Sequence, residues 1–249
     1  MKACLSTVYF ENLPSEIAKY QKAVVDKFNV NGHTFYQSCV AAPVIFTSTH
    51  GRAINCFLER NRLELGYDVL LFLDVDCIPL SSVAINYYLQ RAAAGVLVGN
   101  IQRSNHIENN RHVYVAPSAL AISAETYEKL GRPSALETER GDVCEEFTFA
   151  AEERGIATEM ILPSRYDTEP AECAYWPLRP GMPVYGCGAT FAHPTLGDLF
   201  WHSFQIWRPE QQDNFKRKCG TVLAEKPKRI SEAIPTRSCS NSTLAATRH

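Results

Sequence analysis

No stretch of this sequence approaches the roughly 18 consecutive apolar residues of a membrane span. The opening Met1-Lys2-Ala3-Cys4-Leu5-Ser6-Thr7-Val8-Tyr9-Phe10 is too short and polar for a signal peptide. The expectation is therefore a cytoplasmic protein, and the sequon Asn241-Ser242-Thr243 is then idle, since its chemistry needs a secretory route. The 9 cysteines include no CxxC pair and no zinc-site spacing, and an odd count fits reduced thiols used as small hydrophobes, with Cys39, Cys56 and Cys77 expected in the core. There is no internal repeat. There is no excess of positive charge either: the formal net charge of -2 argues against a nucleic-acid binder relying on bulk electrostatics. Disorder is not the default for a chain that is 45% hydrophobic and 21% charged, and 249 residues suffice for one large α/β domain or two small ones.

What is present is a short apolar run ending in two spaced acids, Val69-Leu70-Leu71-Phe72-Leu73-Asp74-Val75-Asp76. An unbroken run of this kind is what a strand covered on both faces requires. Period two puts the Asp74 and Asp76 side chains on one side of the chain. Paired carboxylates repel unless a cation lies between them or one takes up a proton. At the carboxyl end of a buried parallel strand, such a pair is positioned for a divalent metal and the phosphates that accompany it.

Elements alternate around this run. Leu5–Phe10 predicts a strand, and Pro14 opens a helix to about Phe28 through Ile17, Tyr20, Val24 and Phe28. Phe35–Val40 predicts a second strand, Gly51–Gly66 a helix closed by glycine, and Ser81-Ser82 a cap for the helix that precedes Gly95. Val96–Asn100 is a fourth strand. The alternation argues for a mainly parallel sheet with right-handed crossovers. Beyond it, 102–111 reads as loop and Val113–Ile122 as one or two strands, with a short helix near Glu125–Leu130. Asp142–Arg154 reads as a helix ended by Gly155, and Ile161-Leu162 as a strand. Residues 169–194, rich in proline, glycine and aromatics, read as ordered loop over a site, and 226–249 as a flexible basic tail (Lys226, Lys228, Arg229, Arg237).

The segment LLFLDVDCIPL resembles the DxD strand end of nucleotide-sugar glycosyltransferases of the GT-A fold, family 2-like. That resemblance implies an α/β, GT-A-like domain over 1–225. A mainly parallel central sheet is flanked by helices, with a nucleotide-binding half (1–101) and a loop-rich acceptor half (102–225). It implies that Asp74 and Asp76 hold Mn²⁺ or Mg²⁺ with the diphosphate of a nucleotide-sugar, a UDP-sugar first. The segment Thr49-His50-Gly51-Arg52-Ala53-Ile54-Asn55 is similar to the helix start beside the donor, which brings Arg52 or Asn55 toward phosphate; a capped surface helix is the other reading. Ser6-Thr7-Val8-Tyr9 resembles the place of base and ribose, making Thr7 and Tyr9 donor-site candidates, with a core tyrosine as the alternative.

Gly141-Asp142-Val143-Cys144-Glu145-Glu146-Phe147 resembles the acidic helix whose carboxylate deprotonates the acceptor in inverting enzymes. The family's aspartate falls here on Cys144, so the base is sought in Glu145, then Asp142, then Glu146; acids at a helix start also simply favour its dipole. A late histidine often joins the metal in such enzymes, and His202 in Phe200-Trp201-His202-Ser203-Phe204 fits that element better than His193. Trp176, Tyr175, Tyr185, Trp201 and Trp207 offer an aromatic acceptor platform or core.

The expected activity is sugar transfer, inverting, to a hydroxyl of a glycan, a small molecule or a modified DNA base of the kind small bacteriophage glycosyltransferases act on. The oligomeric state is open. A nucleotidyltransferase would need a Gly-rich loop with Lys or Arg after the first strand, and none follows Phe10. A non-catalytic nucleotide-sugar-binding protein is the third alternative.

Overall fold

The apolar run sits at the centre of the molecule. In the computed structural model, which describes residues 1–41, 46–103, 112–167 and 187–225, it forms β3 (Val69–Asp74). Before it come β1 (Ala3–Phe10), α1 (Ser15–Phe28), β2 (Thr34–Val40) and α2 (Phe46–Arg60). One π turn (Asn61–Leu65) follows α2 and is closed by Gly66 in the left-handed conformation, φ 62°. After β3 come β4 (Cys77–Pro79), α3 (Ser82–Ala93), β5 (Leu97–Gln102), β6 (Tyr114–Ser123), α4 (Ala124–Lys129) and α5 (Glu145–Arg154). The described chain ends with β7 (Thr158–Ile161), β8 (Pro163–Asp167), β9 (Gly188–His193), β10 (Gly197–Ser203) and α6 (Pro209–Ala224).

Six strands form the central sheet in the order β2-β1-β3-β6-β5-β7. The β1–β2, β1–β3 and β5–β7 pairs are parallel. Strand β6 is antiparallel to both its neighbours, β3 and β5. The α/β expectation with a mainly parallel sheet stands, with one correction: the crossover through α3 skips a position, and β6 fills it from the opposite direction.

Period two divides the run between two cores. Val69, Leu71 and Leu73 pack with Ala84, Ile85, Tyr88 and Leu89 of α3. Leu70 and Phe72 pack with Ile54, Phe57 and Leu58 of α2 and Phe147 of α5. Helices on both faces explain why no polar residue interrupts β3 before its end.

A second, antiparallel sheet, β4-β10-β9-β8, was not anticipated. Its strand β9 falls inside the stretch expected to be loop; 169–186 of that stretch lie outside the described residues, as do 104–111 of the expected 102–111 loop and the tail 226–249. The amphipathic helix α6 was likewise missed. Helix α5 begins at Glu145 and not Asp142, because Cys144 takes up the left-handed conformation, φ 64°. Of the three cysteines expected inside, Cys77 is buried but Cys39 and Cys56 are exposed: β2 is an edge strand, and position 56 lies on the outer side of α2.

One buried polar side chain ties these parts together. Gln21 of α1 is fully buried. Its Nε2 donates to the backbone carbonyls of Asp74 (2.7 Å) and Cys77 (3.1 Å) and to Thr7 Oγ1 (3.1 Å). It thus spans the point where the chain leaves the central sheet for the second one. Replacing Gln21 by Leu leaves two carbonyls without this partner, at about 1–3 kcal/mol. Urea denaturation of Gln21→Leu should show that loss as a lower midpoint with an unchanged m-value; an unchanged midpoint would deny the clamp its role.

Candidate metal centre

Asp74 closes β3, Val75-Asp76 make a tight turn, and Cys77 begins β4. Antiparallel pairing of β4 with β10 sets Cys77 opposite His202, and the Ser203 N–H donates to the Asp76 carbonyl at 3.0 Å. This register brings a residue 126 positions further along the chain to the acidic pair. His202 Nε2 lies 3.3 Å from Asp76 Oδ1 and 3.7 Å from Asp74 Oδ2. One donor atom from each of the three residues falls within 4.8 Å of the others.

The electrostatics follow from burial. Burial pushes the Asp74 carboxyl above its usual range; Asp76 adds to this, while His50 and His202 oppose it. Burial also disfavours the charged form of His202, but Asp76 and Asp74 outweigh it and hold its pKa above the ordinary histidine value. Two carboxylates and an imidazole converging in a partly shielded corner form a donor set that fits Mn²⁺ or Mg²⁺, and the imidazole favours Mn²⁺.

The other sequence candidates fare differently. Thr7 is buried, and its hydroxyl donates to the Leu73 carbonyl at 2.7 Å while accepting from Gln21, supporting the strand end from within. Tyr9 is half-buried and packs on the cluster containing Ile17, Val75, Trp201 and Phe215. Arg52 is exposed on α2. Asn55 is engaged with the 134–135 loop, accepting from the Ala135 N–H at 2.8 Å and donating to Ser134 Oγ at 3.0 Å. His193 Nδ1 accepts the Thr195 and Leu196 N–H groups of its own turn and is not part of the acidic cluster. Trp201 is fully buried with its Nε1 donating to Asp167 at 2.7 Å, and Trp207 is exposed; Tyr175, Trp176 and Tyr185 lie outside the described residues.

The three acids proposed as base are all engaged locally. Glu145 is fully buried, with Oε1 2.6 Å from His112 Nδ1 and Oε2 accepting the Asp142 N–H at 2.8 Å. Glu146 forms a two-pronged pair with Arg140, which holds its carboxyl below the usual range. Asp142 accepts from the Tyr114 hydroxyl at 3.1 Å and from the Val143 N–H at 2.7 Å. Burial first, and then the charges of Asp74 and Asp142, drive the Cys144 thiol far above its normal pKa.

Three residues of this neighbourhood escaped the sequence reading. Gln21 and His50 each occupy an apolar-spaced position of an amphipathic helix, four residues from Ile17 and Ile54 respectively, and a polar residue on such a stripe was the available signal. His112 carried no signal, since its partners are 33 and 40 residues away.

No family model matches the chain, and no curated protein matches it. Among solved structures, it is similar to the catalytic domain of Drosophila β1,4-galactosyltransferase 7 in complex with xylobiose, at 16% identity over 67% of each chain and a TM-score of 0.43. A mutant of the same Drosophila enzyme complexed with manganese, UDP-Gal and xylobiose gives the same figures. A glycosyltransferase involved in glycosylation of the major capsid of PBCV-1 matches at 13% identity, 50% of this chain, 62% of that chain and a TM-score of 0.35. Among the described residues, no helix is long and apolar enough to cross a membrane.

The His112–Glu145 pair makes a pH prediction. Burial opposes charge on His112, but hydrogen bonds with Glu145 and Glu152 outweigh it and raise its pKa above 6.5. A raised histidine stabilises the fold fully below its unfolded pKa, and that contribution is lost as pH rises through the folded value. The stability gap between wild type and His112→Gln, about 3 kcal/mol at pH 6, should narrow by pH 8.5 in parallel urea titrations. A gap that widened with pH would refute the pairing.

Proposed function

We propose that the chain is a metal-dependent glycosyltransferase of GT-A type that transfers a sugar from a nucleotide-sugar, a UDP-sugar first, to an acceptor hydroxyl. The observation that carries this reading is the convergence of Asp74, Asp76 and His202 at the carboxyl end of β3. Ligands of open α/β sheets bind in the crevice outside such strand ends. A bound divalent cation would supply neutralisation of the charge that gathers on a departing nucleoside diphosphate. Asp74 and Asp76 hold it from the strand end, and His202 closes the set from β10. Residues 1–101 then carry the donor side and 102–225 the acceptor side, with His202 reaching across from the latter.

Asp142 is the favoured base. Glu145 is occupied by His112 in a buried pair, and Arg140 stabilises the charged form of Glu146, which weakens it as a proton acceptor. Asp142 accepts from the Tyr114 hydroxyl and the Val143 N–H on the turn that leads into α5. A carboxylate there takes the acceptor hydroxyl's proton as the oxygen attacks the anomeric carbon, and displacement from the opposite face inverts it. The engagement of all three acids favours a second reading as well: a nucleotide-sugar-binding protein without turnover.

Thermal shift with a panel of nucleotide-sugars, with and without Mn²⁺, tests the proposal. Saturation at 100 times Kd adds about 2.7 kcal/mol, which for a domain of this size raises Tm by about 5–10 °C. That rise should require sugar nucleotide and metal together and vanish in Asp76→Asn. Stabilisation indifferent to Mn²⁺, or none with any nucleotide-sugar, would end the proposal.

The base assignment has its own test. Asp142→Asn should keep the ligand-induced shift and lower UDP release about 10²–10⁴-fold, whereas Glu145→Gln should mainly lower the apo Tm. Wild-type protein that binds but never releases UDP would transfer support to the binding-protein reading.

A further inference from the structure

The two oxygens of Asp74 face different imidazoles. His202 Nε2 stands 3.7 Å from Oδ2, on the side of Asp76, and His50 Nε2 stands 3.3 Å from Oδ1. His50 is not one of the three residues whose donor atoms cluster. Its side chain is only 16% exposed, on a helix whose main role in the core is to cover Leu70 and Phe72.

The position of His50 is built into the fold. The next residue, Gly51, is buried so closely against the 135–136 backbone that a Cβ there would lie 2.5 Å from the Ala135 carbonyl oxygen. One turn later Asn55 grips the same loop through the Ala135 N–H and Ser134 Oγ. Helix α2 therefore cannot slide or roll without breaking backbone contacts, and His50 is held against Asp74.

We propose that His50 is a positioning residue for the metal centre: its Nε2–H holds Oδ1 of Asp74 and thereby keeps Oδ2 turned toward Asp76 and His202, where the cation binds. Carboxylates that ligate metals are commonly fixed in this way, and removing such a partner typically costs 10–100-fold in metal affinity. The inference rests on the cation site proposed above. His50 acts through Asp74 and contributes no ligand atom.

Mn²⁺ titration of the nucleotide-free full chain, followed by the electron paramagnetic resonance of free Mn²⁺, is the test. Wild type should bind, and His50→Ala should bind about 10–100-fold more weakly with its circular dichroism unchanged. His50→Gln, whose amide N–H reaches a similar distance, should recover most of the affinity. Electron spin-echo modulation of the wild-type complex should show one coordinated imidazole nitrogen, from His202. Equal affinity in wild type and both variants overturns the role of His50 while leaving the cation site intact. Two coordinated imidazole nitrogens also overturn it, by making His50 a ligand. A wild type that binds no Mn²⁺ brings down the site and the inference together. If His50→Ala loses its fold, His50→Leu, which fills the space and removes the N–H, takes its place in the same titration.

Discussion

Between Asp74 and Cys77 the chain passes from one sheet to the other, and the arrangement of the site depends on that passage being held. β3 is gripped on both edges by β1 and β6, β4 by β10, and only the Val75-Asp76 turn lies free of sheet pairing. Gln21 bridges the gap by binding a carbonyl on each side of it, and Ser203 binds a third at Asp76. With its backbone fixed at three carbonyls, the turn has little freedom to move its carboxylates apart. That is a preorganised site: the conformational cost is met in folding and not at the moment of binding.

The same fixity creates an electrostatic penalty. A partly buried acid, a buried acid and a buried histidine are packed where water reaches poorly, so Asp74 is driven toward protonation and His202 toward its charged form. In a purely structural cluster an apolar trio would do better, since buried charge is weak evidence of stability. The arrangement makes sense if a divalent cation resolves the repulsion, because such an ion inverts the local pKa logic.

Much of this was legible from residue order. The run 69–76 displays a doubly covered strand and its acids without help from any other segment, and the alternation of periods through 101 predicts α1 to α3 and the parallel pairs around β1. What stayed hidden has physical causes. Strand direction leaves no mark on hydrophobic periodicity, so β6 read as a strand but not as an antiparallel insertion. β9 lies in a stretch whose proline and glycine content masked a short buried strand. In α6, Phe215, Cys219 and Val222 supply a helical stripe too sparse to stand out among the polar residues around it. The DxD pair could be read locally, but the arrival of His202 beside it is a consequence of β4–β10 register, which no local pattern encodes.

The acids of 142–146 show how resemblance in sequence can outrun chemistry. Three carboxylates in five positions look like a surplus of general bases. Packing divides them: Glu146 pairs with Arg140, Glu145 joins His112 and caps the turn before α5, and Asp142 accepts from the Tyr114 hydroxyl and the Val143 N–H. The left-handed Cys144 is the cause of this division, since it starts the helix three residues later than the pattern of acids implies and swings Glu145 inward. Asn55 and Gly51 then tie the loop leading into this turn to α2, and α2 carries His50 to Asp74. Helix α2 and the 142–146 turn are thus joined through the backbone at 134–136, so a disturbance of that loop reaches both.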